Sequence, residues 1–230
     1  MRALAARLSV VRAGRDRGLS MAELLVAVTL FALLLAMTSG FMVSAYRASN
    51  SSRAIDTATR QATNGMTEMT RMIRAASEYQ RVSGAAAESA IIVAEPSRLQ
   101  LYAFVNLEDA IEKPVKVEFK IDGTKLVETR WNSTANPSNP DLFTFANTAS
   151  STRVLVDPVL STTSTGARLF TYLGSTRVPV ALTATSAVAD VTTVSNVTVA
   201  LQAGQSTSPS NSTLLVNTVG LTNLTSGGTP

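Results

Sequence analysis

Residues 24–46 form a run of 23 consecutive uncharged residues, bounded by Glu23 and Arg47. Most are apolar, and no proline interrupts them. As an α-helix the run spans roughly 35 Å at about 1.5 Å per residue, enough to cross a hydrocarbon core of about 30 Å. Glu23 stands at the head of the run. A carboxylate deep in a bilayer costs about 2.5–3.5 kcal/mol on insertion scales, so an acid at this place is a functional hypothesis that needs a partner.

Charge and composition exclude several classes of function. Residues 1–18 hold five of the 20 basic residues (Arg2, Arg7, Arg12, Arg15 and Arg17) and one of the 16 acids, Asp16. The remainder has 15 of each sign, so the basicity of the whole chain belongs to its N-terminal segment. Positive charge there marks the cytoplasmic side, and nucleic-acid binding is not indicated for the rest. The chain has no Cys and no His. Disulfides and thiolate chemistry are thereby excluded, and so are the commonest general base and most transition-metal sites. No cofactor is expected.

The segment Arg17-Gly18-Leu19-Ser20-Met21-Ala22-Glu23-Leu24-Leu25-Val26 resembles the class III signal of bacterial type IV prepilins and type II secretion pseudopilins. The resemblance implies cleavage between Gly18 and Leu19 by a prepilin peptidase, followed by N-methylation of Leu19. Glu23 becomes mature residue five. Its implied role is a subunit-docking carboxylate that pairs with the α-amine of Leu19 in the adjacent subunit. The family usually starts with phenylalanine and continues Thr-Leu-Ile/Leu, where this chain has Leu19 and then Ser20-Met21-Ala22. Gly40 occupies mature position twenty-two, where many major pilins carry a proline, and is the expected point of helix flexibility.

The expected organisation has four parts: a leader over 1–18, a transmembrane and filament-core helix over 19–46, the amphipathic half of that helix over 47–82, and a β-rich head over 83–230. The helix is expected to continue to about Arg81 and to end by Ser83-Gly84. Ile55, Ala62, Met69 and Ala76, interleaved with Thr59, Met66 and Ile73, form one apolar stripe at helical spacing. Packing of its methionines against a sheet is favoured over contact with neighbouring subunits.

Beyond the helix the periodicity changes to short strands at 90–94, 98–105, 115–121, 124–131, 153–156, 168–172, 191–202 and 213–219. Glu95-Pro96 reads as a turn, and Asp122-Gly123 between alternating runs as a hairpin. Residues 132–139 and 206–212 read as polar loops, and 226–230 as a frayed tail. One long helix followed only by strands is an α+β pattern, which matches a pilin-like fold with the helix packed on an antiparallel sheet.

Within that class, the details look most like J-type minor pseudopilins and PilW-like minor pilins. The segments concerned are Arg71-Met72-Ile73-Arg74-Ala75-Ala76, VEFKIDGTKLVETRW, VTTVSNVTVAL and LLVNTVGLTN. The retained Glu23 argues against the K-type tip pseudopilin.

The implied function is structural: a minor pilin or pseudopilin of a type IV pilus or type II secretion pseudopilus, at the tip or initiating assembly. The partners are the prepilin peptidase, other minor pilins, a major pilin and, before assembly, the bacterial cytoplasmic membrane. The head then lies outside, later in an extracytoplasmic filament. A different class of function is a membrane-tethered or pilus-tip binding module for adhesion or DNA uptake. Cleavage after Val43-Ser44-Ala45 would instead release a secreted domain starting at Tyr46. An enzyme is the weakest reading, because no catalytic or phosphate-loop motif is present. Glu108, Asp109 and Glu112 form the densest acidic patch, with calcium ligation weighed against a solvated loop and the latter favoured. The sequons at Asn50, Asn132, Asn196, Asn211 and Asn223 carry no assignment.

Overall fold

The computed structural model describes residues 20–79, 87–105, 113–183, 187–204 and 211–223. The chain divides into two compact units, Met1–Asn50 and Ser51–Pro230. Helix α1, Met21–Arg74, contributes to both.

In the first unit, every residue from Ser20 to Asn50 is exposed. Leucine, alanine and methionine dominate this stretch and favour helix. Its threonines do not disturb the ladder, because they bond to the helix's own carbonyls. Thr29 Oγ1 donates to the Val26 carbonyl at 2.8 Å, and Thr38 Oγ1 to those of Leu34 and Leu35 at 3.0 and 3.1 Å. Polar groups in an apolar run are thus satisfied internally, as a lipid environment requires. Among the described residues this is the one helix long and apolar enough to cross a membrane.

In the second unit, the rest of α1 packs on two antiparallel sheets. The first has β1 (Ile91–Glu95), β2 (Arg98–Phe104), β3 (Pro114–Asp122), β4 (Lys125–Asn136) and β5 (Asn139–Phe145) in that order. β6 (Ser151–Val156) also pairs with β4. The second sheet is β7 (Phe170–Leu173), β8 (Asn196–Gly204) and β9 (Ser212–Gly220). Alternation places Val117 and Phe119 of β3, Leu99 and Leu101 of β2 and Leu126 of β4 in one core with Val197, Val199 and Leu201 of β8.

Helix α1 lies along both sheets. Thr59 and Thr213 share a hydrogen bond of 2.7 Å, and Asn217 Nδ2 donates to Thr70 Oγ1 at 3.1 Å, which ties the helix to β9. Beyond the end of β6, the Asp157 amide donates to Gln61 Oε1 at 3.3 Å. Gly65 allows this approach, because a Cβ there would come within 2.7 Å of Val156 Cγ2.

The β3–β4 hairpin forms where expected. Asp122 pairs with Lys125, which leaves Gly123 and Thr124 as its two central residues. Gly123 has φ +60, the sign that a II′ turn demands at its first central position.

Four sequence expectations are corrected. First, the helix ends at Arg74, not near Arg81. From Ala75 the backbone joins β2 instead: the Ser77 amide donates to the Tyr102 carbonyl and the Phe104 amide to the Ala75 carbonyl, both at 3.1 Å. Asn223 Nδ2 donates to the freed Arg74 carbonyl at 3.2 Å, supplying a C-terminal cap. Ser83-Gly84 lies outside the described residues. Second, Thr59 is exposed, and Ala58 and Gly65 join the buried stripe, because a strict seven-residue repeat drifts about 20° per heptad around a straight helix. Met66, Met69 and Met72 are buried in the head's own core. Third, residues 132–139 are not a loop. β4 runs on to Asn136 and turns into β5 at Pro137-Ser138, where Asn136 Oδ1 accepts from the Ser138 amide at 2.9 Å. Fourth, 191–202 is not one strand. It opens with a 3-10 turn, Val191–Thr193, whose Asp190 cap accepts from the Thr192 amide at 3.0 Å, and β8 starts only at Asn196.

Candidate functional site

Glu23 sits in the first turn of α1. Its carboxylate Oε2 accepts from the Ser20 amide at 3.2 Å, and Ser20 Oγ accepts from the Ala22 amide, also at 3.2 Å. The Leu24 amide donates to the Ser20 carbonyl at 3.0 Å and opens the helical ladder. Ser20-x-x-Glu23 is therefore a reciprocal capping box, with Ser20 as N-cap and Glu23 at the third helical position. The carboxylate also complements the positive end of the helix dipole. The pattern was legible as a serine three residues ahead of a glutamate at the head of an apolar run, a signal that the sequence reading passed over.

Gly18 and Leu19, the expected cleavage and methylation positions, lie outside the described residues. Gly40 lies inside the unbroken helix, and a Cβ there would meet nothing within 4 Å. The acidic patch at Glu108, Asp109 and Glu112 also lies outside the described residues. Among those described, no three His, Cys, Asp or Glu side chains converge as a metal site.

The densest charge constellation holds α1 to the first sheet. Glu68 and Arg71 come from α1, Glu128 and Arg130 from β4, and Arg153 from β6. Glu68 Oε1 accepts from Arg71 Nη2 at 2.8 Å, from Arg153 Nη2 at 3.0 Å and from Arg130 Nη2. Glu128, 1% exposed, accepts from Arg130 Nε at 2.6 Å and from Arg153 Nε. Burial alone pushes the Glu68 carboxyl up. The hydrogen bond from Arg71 and the charges of Arg71, Arg130 and Arg153 outweigh it and hold the group below the ordinary carboxylate range. The hydrogen bond to Glu128 raises Arg153 against its own desolvation. Three guanidiniums on two carboxylates leave one excess positive charge. The arrangement clamps three elements, α1, β4 and β6, and carries no nucleophile or acid–base pair.

The sequence reading passed over this cluster. Glu68 is not among the stripe residues named from the sequence, and Glu128 falls inside the strand expected at 124–131. The one local signal was Glu128 in step with Leu126, two residues earlier, on the core-facing side of β4.

On the opposite face of the first sheet, Tyr79, Tyr102 and Phe143 form a separate small core with Phe145 packed against it. Lys116 Nζ lies 4.5 Å from the centre of the Trp131 ring. Burial pushes the Tyr102 hydroxyl well above its usual range, assisted by its hydrogen bond of 3.0 Å to Glu88 Oε2. Tyr172 is raised by burial and then by the Glu95 charge, and it donates to the carbonyls of Glu95 and Arg98 at 2.8 and 3.1 Å. Neither tyrosine is poised to lose its proton, and both join elements of the core.

No protein-family model matches the chain, and no curated protein is similar to it in sequence.

Proposed function

We propose that this chain is a minor pilin or pseudopilin, a structural subunit of a type IV pilus or type II secretion pseudopilus, anchored in the cytoplasmic membrane until it joins the filament. One observation carries this. The first turn of α1 holds Glu23 at the head of an exposed apolar helix, and the same helix continues into the core of an antiparallel β head. Fifteen large apolar side chains between positions 21 and 46 are exposed. At about 1.5–3 kcal/mol per buried side chain, they have on the order of 20–40 kcal/mol to gain from an apolar cover. Lipid supplies that cover before assembly, and the same segment of neighbouring subunits supplies it afterwards.

Glu23 is the docking group. A carboxylate and an ammonium are each costly in lipid, and pairing one with the other removes both costs. Cleavage after Gly18 creates that ammonium on Leu19. It leaves the Ser20 amide intact, so the capping box survives processing. The prepilin peptidase, other minor pilins and a major pilin are the partners that this function requires.

Mass spectrometry of the protein from membrane fractions tests the proposal. The expected mature N-terminus is Leu19, with or without a methyl group. A start at Tyr46 would mean ordinary secretion, and an unprocessed start at Met1 would mean a plain signal-anchor. Either would overturn the filament function.

A further inference from the structure

Among the described residues, β1, β5, β6, β7 and β9 stand at sheet edges, and all but β9 are guarded against pairing with another chain. β1 carries a register shift, and the Val188 amide donates to its Ala94 carbonyl at 2.8 Å. β5 contains Pro140, and β6 has a register shift and Arg153. β7 is short, and the Val180 amide donates to its Tyr172 carbonyl at 2.9 Å. β9 has none of these devices. It runs for nine residues with no proline, no charge and an unbroken register against β8.

The ladder fixes which β9 groups point away from β8. The Leu221 amide donates to the Ser195 carbonyl at 2.9 Å, one step beyond the pair Asn196 and Gly220. Hydrogen-bonded pairs of an antiparallel ladder recur at every second residue, so Val219, Asn217 and Leu215 bond to Val197, Val199 and Leu201. The even-numbered residues of β8 bond on its other side: the Ala200 amide donates to the Leu169 carbonyl and the Leu160 amide to the Gln202 carbonyl, both at 2.9 Å. Leu214, Val216 and Thr218 therefore turn their N–H and C=O groups out from the edge, and no backbone group among the described residues meets them. Val216, at the middle of the strand, is 61% exposed.

We propose that the outer edge of β9 receives an extended, uncharged strand of another protein by β-strand addition. Donors and acceptors alternate along this edge with a repeat of about 6.8 Å, which another extended backbone matches. A helix keeps its own backbone groups occupied, and a phosphate surface offers acceptors without donors. β9 has no charge for a charged strand to pair with. Leu214, Val216 and Thr218 suit β-branched and apolar residues on the same face of the added strand. Thr213 and Asn217 bond through their side chains to Thr59 and Thr70 of α1, which steadies β9 without using its edge. Those two contacts also show that β9 runs in the same sense as this part of α1. Antiparallel pairing of two β9 strands would set two such helix segments in opposite directions, whereas subunits of one filament share a direction. The choice of a different protein over a second copy rests on the filament function, and the open edge does not.

The test uses the full-length protein in detergent micelles, with hydrogen exchange read amide by amide by nuclear magnetic resonance. In the free protein the amides of Leu214, Val216 and Thr218 are expected to exchange at least about tenfold faster than those of Leu215, Asn217 and Val219. The probe is a short peptide of alternating threonine and valine with a lysine at each end. Its control has Pro-Pro at the centre. The probe should slow the three outward amides, and the control should leave them unchanged. Val216→Pro removes an outward donor while sparing the β8 ladder, and Val216→Lys sets a charge on the edge. Each should weaken binding of the probe about fivefold or more, the worth of one backbone hydrogen bond. Circular dichroism checks their folding, and Val216→Lys decides the matter if the proline variant misfolds. Slow outward amides in the free protein, equal effects of the two peptides, or unchanged binding by Val216→Lys would overturn the proposal. Protection that rises with protein concentration alone would assign the edge to a second copy and overturn it as well.

Discussion

Glu128 is buried with both its oxygens taken by guanidiniums. Replacing a buried ion pair with packed apolar groups can be neutral, but removing one partner strands the others. Glu128→Ala leaves Arg130 and Arg153 sharing Glu68 alone and is expected to cost about 3–5 kcal/mol. Urea unfolding in micelles, followed by near-ultraviolet circular dichroism of the sole tryptophan, reads this. A loss under about 1 kcal/mol would mean that the cluster relaxes into solvent without penalty.

Gly65 poses a contest of two effects. Alanine raises helix propensity by about 1 kcal/mol, but its Cβ would lie 2.7 Å from Val156 Cγ2. Valine is stiff about χ1 and overpacking costs about 1–3 kcal/mol, so Gly65→Ala is expected to lower the melting temperature. Adding Val156→Ala removes the obstructing methyls and should recover part of the loss when the two are melted side by side.

At the scale of elements, α1 does two jobs under different constraints. Its first part has no protein core to hold it, so intrinsic propensity and the cap matter most there. Ser20→Ala removes one half of the capping box and is expected to cost the first turn about 1 kcal/mol. Hydrogen exchange at the Ala22 amide should accelerate about fivefold, while exchange beyond the second turn stays unchanged. Acceleration spread along the whole apolar run would mean that the cap governs more than its own turn. The second part is set by packing, and Met69 and Ile73 lie fully buried beneath the strands. The helix stops at Arg74 because the backbone groups of 75–77 have better partners on β2 than in another helical turn.

For the whole molecule, acid is the sensitive direction. Glu68 is held below its ordinary value in the folded head, so the folded state favours its ionised form. The stability this confers is complete above the unfolded value of about 4.3 and is lost as pH falls through the lower folded value. Melting temperature should therefore change little from neutral pH down to about 5 and then decline. In Glu68→Gln the midpoint should be lower at neutral pH and the acid decline shallower. A variant with the same acid profile as the parent protein would show that other carboxylates govern the transition.

Local chemistry alone determined a good deal of this protein. An uncharged run of spanning length can only be a helix where backbone groups have no water. Alternation around Val117 and Phe119 fixed which face of β3 is buried, and a glycine able to take φ +60 placed the β3–β4 turn. These features depend on neighbours a few residues away. What tertiary structure decided depends on residues far apart in the chain. Polar residues 133–136 read as loop, yet they form a ladder because Phe143 and Phe145 arrive opposite them and complete a second small core. Glu128 is buried because Arg153 reaches it across 25 residues, and Glu68 is held because Arg130 reaches it across 62. A carboxylate in an alternating strand has the same local pattern whether it meets water or two guanidiniums, and only the packing of α1 against β4 and β6 chooses between them.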